Sequence, residues 1–386
     1  MTRILQVVGH AAGGIGVHVA DLSAGLRAAG DAVRVVVPAA TAGRFDLGDA
    51  GSGGVDTRAW PVRSSPQAYA RGLARLRRVV RASDVVHAHG HQAGLTALLA
   101  AAGTGVPVVV SWHNAILARR GPGALAERWQ ARRAALVTGA SQDLVDRAAA
   151  LGARRSELAP VAAPAAGRFD GDRAAARAVV RRALRERGES GADPATDPAT
   201  EPASDDGEVW ILTVSRIAPQ KDLGVLVEAA RLVQREGAAT AVRWFVVGDG
   251  DAPLRAELER AAEGLPFHLV GAREDVPAWM AAADVLVVPS RWEARALVVQ
   301  EALAAGLPVV ATDVGGLPEL VTGCGSLVPV GHAPAIAAAV THLVTHPERR
   351  ADLAARARER FAQLPTSADV VSAWRERYAS LAPAKR

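Results

Sequence analysis

Two carboxylates, Glu293 and Glu301, stand eight positions apart in the stretch Ser-Arg-Trp-Glu-Ala-Arg-Ala-Leu-Val-Val-Gln-Glu that runs from Ser290. On a single helix they would lie roughly 12 Å apart along the axis, too far for one small substrate and within reach of a long ligand. An everyday arrangement fits them equally well at this point: Glu293 complementing a helix dipole, Glu301 paired with a surface arginine. Arg216 and Lys221 flank a second loop, Ser215 to Asp222, which opens a helix-forming run. Two cations beside the unpaired N–H groups of a helix start make a diphosphate site, although two solvated surface cations would read the same way. Lys221 carries extra weight because Lys385 is the only other lysine in the chain. A lysine kept where arginine is the rule suggests a need for a compact ammonium.

A third candidate is the loop holding Gly13, Gly14 and Gly16 after the first apolar run. It matches neither the G-x-G-x-x-G dinucleotide fingerprint nor a P-loop, so it implies an anion-holding turn or simply a tight turn. His87, His89 and His91 alternate at a strand end, which on strict alternation puts them on one face as a conceivable metal triad. No acidic ligand is fixed beside them, and the expectation is no metal. His113 follows directly after a strand, where a donor or acceptor at a sheet's carboxyl edge would sit.

These residues need a scaffold, and the chain supplies strands alternating with helices. The first half reads as strand Ile4 to Val8, helix Val17 to Ala29, strand Val33 to Val37 and helix Ala68 to Arg81. Strand Val85 to His89, helix Gly94 to Ala101, strand Val106 to Trp112 and helix Gly123 to Arg133 follow. The second half reads as helix Arg173 to Arg187, strand Val209 to Val214, helix Leu223 to Glu236, strand Arg243 to Val247, helix Ala252 to Glu263 and strand Phe267 to Leu269. The apolar run Val285 to Pro289 is a buried strand, with a turn and a helix closed by Gly306 behind it. Three helices end the pattern: Ala333 to Thr345, Pro347 to Phe361 and Ser367 to Leu381. This alternation specifies parallel sheets covered on both faces.

With 386 residues, 49% of them hydrophobic, the chain can form two cores. The expected division is 1–163, 164–365 and a terminal helical segment 366–386. Residues 188–208, acidic and punctuated by proline, read as a disordered loop. The net charge of +5 is spread along the chain and comes almost wholly from arginine, which argues against a nucleic-acid partner. Cys324 is alone, so no internal disulfide forms and a reducing cytoplasmic setting fits. Residues 85–118 lack charge, but His87, His89, Gly103, Gly105 and Pro107 break them into short elements, which excludes a spanning helix. Two arginine-rich helices, Arg71 to Arg81 and Arg119 to Arg133 with Trp129, are suited to contact with a membrane surface.

The motifs in their order resemble a retaining family 4 glycosyltransferase of GT-B architecture, an α/β fold of two facing Rossmann-like domains with parallel sheets and a C-terminal crossover helix. The resemblance rests on Gly13-Gly14, Asp84-Val85-Val86-His87-Ala88-His89, His113-Asn114, Val214-Ser215-Arg216, Gln220-Lys221, Val247-Gly248-Asp249-Gly250, Glu293 with Glu301, and Gly315-Gly316-Leu317-Pro318-Glu319. It implies that the first domain faces an acceptor and the second binds a nucleotide sugar. Arg216 and Lys221 would hold the donor diphosphate, aided by the Gly13-Gly14 turn and Gly16. Glu301 would accept from ribose hydroxyls, Glu293 would face the transferred sugar, and His113 would contact that sugar or the leaving oxygen. Such enzymes need no metal or further cofactor, since fixed cations neutralise the departing diphosphate.

One departure stands out. Ala294, Arg295 and Ala296 follow Glu293 where the family usually has glycine, an aromatic residue and glycine. Arg295 is therefore expected to add a contact to phosphate, or to an acidic sugar or acceptor. A non-catalytic nucleotide-sugar or glycan-binding protein and a nucleotide-sugar epimerase remain the competing readings.

Overall fold

The computed structural model describes residues 1–11, 13–48, 54–62, 65–114, 121–159, 161–162, 169–186, 207–237 and 241–382. Residues 188–206 of the acidic loop, and Arg119 and Arg120 of the second arginine-rich helix, lie outside the described residues. The chain forms two compact units, one comprising Met1–Ala165 with Pro365–Arg386 and the other Ala166–Leu364.

The first unit is built on β1 (Arg3–Val8), β2 (Ala32–Val36), β3 (Val55–Asp56), β4 (Val85–His89), β5 (Val108–Trp112), β6 (Leu136–Gly139) and β7 (Ser156–Leu158). They pair in parallel in the order β3-β2-β1-β4-β5-β6-β7. The second unit holds β8 (Glu208–Val214), β9 (Ala241–Val247), β10 (Phe267–Gly271), β11 (Val285–Val288), β12 (Val309–Thr312) and β13 (Gly325–Val328). Its order is β10-β9-β8-β11-β12-β13, again parallel throughout. Parallel neighbours need crossovers, and helices between the strands provide them.

Continuous apolar runs follow from burial on both faces. In β8, Trp210 and Leu212 enter one core while Val209 and Ile211 enter the other; in β11, Leu286 and Val288 split from Val285 and Val287 in the same way. The sheet is thus the middle of three layers, and the C-terminal ends of its strands are left free to carry loops.

Several elements fall outside the sequence expectation: β3, β6, β7, β12 and β13, and the helices Gln142–Ala150 and Val276–Ala282. Strands of two to four residues are too short to show a period, and β13 opens on a glycine. Glu208, assigned to the acidic loop by composition, instead starts β8. The first helix, Gly14–Ala28, begins three residues before the expected Val17 because Gly13 already serves as its N-cap.

The terminal helix Ser367–Leu381 is closed at its start by a capping box between Thr366 and Asp369. It joins the core of the first unit through Val370, Trp374 and Tyr378, together with Ile4, Val85, Val109 and Leu136. Trp374 is 2% exposed and lies against His87, ring centroids 4.1 Å apart. We expect Trp374→Ala to cost about 3–5 kcal/mol in the first unit, a value set by the cavity it leaves. Chemical denaturation followed by near-UV circular dichroism checks this; an unchanged midpoint would mean that the helix is not part of the core.

Candidate active site

In the second sheet the chain winds outward in opposite directions from β8 and β11, which are neighbours. The loops leaving their C-terminal ends diverge there and open the crevice in which such sheets bind ligands. Thr213 Oγ1 donates to the Val287 carbonyl at 2.7 Å, tying the two strands together just below it.

The loop after β8 is shaped by the turn after β9. Gly248, at φ +138°, lies so close to the loop that an added Cβ would fall 1.9 Å from the Ser215 carbonyl oxygen. A Cβ on Gly250 would fall 2.2 Å from that of Ile217, so glycine at both positions is a matter of space. A short 3₁₀ turn, Pro219–Lys221, leads to Asp222, the only non-glycine with positive φ among the described residues (φ 51°). Helix Leu223–Arg235 begins behind it.

Here the two sequence-level candidates meet. Lys221 Nζ forms an ion pair with Glu293 Oε1, and both side chains are mostly buried, at 18% and 13% exposure. Ser290 Oγ donates to the same carboxylate oxygen at 2.8 Å, while the Ser290 carbonyl accepts from Thr312 Oγ1 at 2.6 Å. The Glu293 loop is also sewn to its neighbours. Gln220 Nε2 donates to the Trp292 carbonyl at 2.8 Å, and Arg291 Nη2 donates to Asp222 at 3.2 Å. The Gly316 N–H donates to the Glu293 carbonyl at 2.9 Å, and Gly315, at φ +53°, has no room for a Cβ beside that carbonyl. Ser290, Thr312 and Asp222 were given no role by sequence reasoning, because single serines, threonines and aspartates carry no periodic signal.

Glu293 and Glu301 do not share a helix. The helix runs Leu297–Ala305, with Glu301 inside it and Glu293 in the loop before. Neither everyday role fits them: Glu293 is taken by Lys221, and Glu301 has no ion pair or hydrogen bond with any described residue. Burial pushes the Glu301 carboxyl above its ordinary range. Arg216 is exposed and likewise without a protein partner among the described residues. Neither residue makes a hydrogen bond or ion pair with Lys221 or Glu293.

Arg295 departs from the expectation of an anion contact. Its side chain is 7% exposed and faces Glu319 at 3.5 Å, so the guanidinium is already neutralised within the protein. Ala294 and Ala296 are buried as well, at 4% and 6%.

The remaining candidates belong to the first unit. Gly13 caps helix Gly14–Ala28, but Gly16 is committed to packing. Its N–H donates to the Gly13 carbonyl at 2.9 Å, and a Cβ would fall 2.2 Å from the Phe45 ring. In this arrangement the Gly16 N–H is already taken by the Gly13 carbonyl. The alternation of His87, His89 and His91 also breaks down. Strand β4 ends at His89, and His91 starts the next helix, where its Nε2 donates to the Asn114 carbonyl at 2.8 Å. The three imidazoles that do converge, with one nitrogen each within 4.8 Å of the others, are His18, His89 and His113. This set could in principle hold a metal ion. His89 Nδ1 and His113 Nε2 are 3.2 Å apart, and His89 Nε2 meets Gln6 Oε1 at 2.6 Å. Burial lowers all of these groups, His18 to about 4 and His113 to about 3, with His87 and His89 also well below the ordinary imidazole value.

The model described as "Glycosyl transferases group 1" matches residues 208–346, and the "Glycosyl transferase 4-like domain" matches residues 13–164. The alpha-D-kanosaminyltransferase of Streptomyces kanamyceticus is 30% identical over 327 residues, covering 78% of this chain and 77% of that protein. The chain belongs to the group 1, family 4 glycosyltransferases. Part of this glycosyltransferase, 158 residues or 40% of the chain, is 40% identical to 39% of a GDP-mannose-dependent alpha-mannosyltransferase of Mycobacterium tuberculosis. Its fold is that of Anabaena Alr3699/HepE, solved in complex with UDP, at TM-score 0.75 and 20% identity over 98% of this chain and all of that one. WaaG, a glycosyltransferase of lipopolysaccharide biosynthesis, gives 0.69 at 16% identity over 98% of this chain and all of that one. The fold is GT-B, and the chain is a glycosyltransferase.

The buried histidines make stability pH-dependent. Below about pH 6.5 an unfolded histidine takes up a proton that its folded counterpart refuses, so the unfolded state binds more protons and gains. The contribution is complete above 6.5 and is lost as pH falls toward 4 for His18 and 3 for His113. Each such group adds a slope of about 1.4 kcal/mol per pH unit within its window. The thermal midpoint of the first unit should therefore fall steeply between pH 6.5 and 4.5; a flat profile there would contradict neutral burial.

Proposed function

We propose that the chain is a retaining, metal-independent hexosyltransferase whose donor diphosphate is gripped by Arg216 and Lys221. The observation that carries this reading is the Lys221–Glu293 pair at the point where strand order reverses. An ammonium has three donors, so Lys221 can keep Glu293 and still serve a phosphate oxygen. Arg216, exposed and unpartnered, supplies a second cation that can take phosphate oxygens in a bidentate grip. Glu293 would then face the sugar and stabilise positive charge developing at its anomeric carbon. Glu301, a half-buried carboxyl without a side-chain partner among the described residues, would accept from ribose hydroxyls. In the first unit, the Gly13-Gly14 turn would assist at the diphosphate, and His113 would contact the sugar or the leaving oxygen.

In this scheme the bond from the anomeric carbon to the β-phosphate oxygen breaks, and its electron pair goes to the diphosphate. The acceptor hydroxyl forms the new bond on the same face and gives its proton to the departing oxygen. Fixed cations do the neutralising that a metal would otherwise do. The kanosaminyl- and GDP-mannose-dependent relatives favour a nucleoside diphosphate hexose as donor; the acceptor is open.

The direct test is transfer from a panel of UDP-, GDP- and ADP-hexoses in the presence of a chelator. Lys221→Ala and Glu293→Gln should each lower kcat by roughly 10²–10³-fold. Wild-type release of free sugar or an epimer without transfer, or variants with full activity, would refute the assignment.

Peripheral membrane contact is a further part of this proposal. No described helix is long and apolar enough to cross a membrane. Helix Pro66–Arg81 buries Leu76, Val79 and Val80 and exposes Arg71, Arg75, Arg78 and Arg81, so any contact through it is electrostatic. Co-sedimentation with anionic vesicles should be strong at low salt and lost at high salt. Equal pelleting with neutral vesicles would contradict it.

A further inference from the structure

On one face of the first sheet, side chains from four strands form an unbroken polar chain with the terminal helix. Gln6 Nε2 lies 3.2 Å from the Tyr378 hydroxyl, which lies 2.6 Å from His87 Nδ1. His87 Nε2 meets Ser111 Oγ at 2.7 Å, and Ser111 Oγ meets Thr138 Oγ1 at 2.6 Å. From the other end of the Gln6 amide the chain continues through His89 to His113. Gln6, His87, His89, Ser111 and Thr138 are all buried, at 0–3% exposure.

We propose that His89 is the positioning residue that fixes the proton of His113 on Nε2, so that His113 meets the reactants through Nδ1 as a hydrogen-bond acceptor and not as an acid. This rests on the reading of His113 as a group that touches the sugar or the leaving oxygen, and it selects between those two contacts. An acceptor takes a hydroxyl hydrogen from the sugar or the attacking alcohol. It cannot donate to the leaving phosphate oxygen.

The direction of the chain follows from the strengths of its members. A phenol is a good donor and a weak acceptor, and an imidazole nitrogen is the strongest acceptor available, so the Tyr378 O–H donates to His87 Nδ1. With its one hydrogen spent, the phenol oxygen is left to accept from the Gln6 amide nitrogen. The Gln6 oxygen then faces His89 and accepts from its Nε2–H. A neutral imidazole carries one N–H, so His89 Nδ1 is a bare lone pair. Across the 3.2 Å gap, the shared proton must therefore belong to His113 Nε2. Burial supports neutral rings throughout, since burying a second proton on any of them would leave an uncompensated charge.

The tautomer can be read without substrate in the full chain labelled with ¹⁵N-histidine, from long-range proton–nitrogen correlations. The inference expects His113 to show a protonated Nε2 and a bare Nδ1. His89→Leu, which removes the acceptor, should release that preference and lower kcat about 10-fold with little change in donor KM, the scale of one lost buried hydrogen bond. His89→Asn, whose side-chain oxygen can stand near the position of Nδ1, should restore much of both signals. A protonated Nδ1 on wild-type His113 would overturn the inference. So would one equivalent of Zn²⁺ shifting both His89 Nδ1 and His113 Nε2 to metal-bound values, or a His89→Leu protein with an unchanged tautomer. Failure of the parent reading looks different: His113→Ala would keep full activity while the wild-type tautomer remained as expected.

Discussion

The arrangement of the second unit depends on one contact, the ion pair between Lys221 and Glu293, held mostly out of water. Removing one partner of such a pair typically costs about 3–5 kcal/mol, because the other is left charged and uncompensated. That cost acts as a constraint on everything around it. The loop after β8 and the loop after β11 must arrive at the same place, and much of the neighbouring architecture makes that possible. Gly248 and Gly250 let the β9 turn press against the first loop, while Gly315 and Gly316 press against the second. Ser290 and Thr312 fix the carboxylate and the backbone that carries it. Most of the motif residues in this unit are therefore explained by how close two backbones must come, before any ligand is considered.

The Gly315–Glu319 motif shows how a departure from the family pattern can be absorbed. Arg295 stands where an aromatic residue is usual, and a buried guanidinium would be costly alone. Glu319 answers it from the short helix Leu317–Val321. The substitution therefore changes how the Glu293 loop is braced, with no cation added to the open crevice.

The parallel sheets and most of the helices were legible because apolar runs and helical periods are repeated many times. Lys221 was legible for a different reason, since its rarity marked it. The contacts that decide the site were much harder to read. Nothing in the local sequence says that Gln6 meets Tyr378, 372 positions away, or that His18 comes beside His89. His91 was misread with His87 and His89 because alternation holds only while the strand lasts, and the strand stops at His89. Gly16 looked like part of an anion turn, whereas its neighbour in space is Phe45. In each case the structure around the residue decides what a local pattern leaves open.

The central claim is that the crevice beyond β8 and β11 takes the donor's nucleoside diphosphate. Hydrogen exchange of the full chain with and without UDP, GDP or ADP tests it most directly, because bound ligand protects the backbone it orders. The account predicts that the cognate nucleotide slows exchange chiefly in residues 215–224 and 290–301. Protection confined to other loops, with these two stretches unchanged, would contradict it.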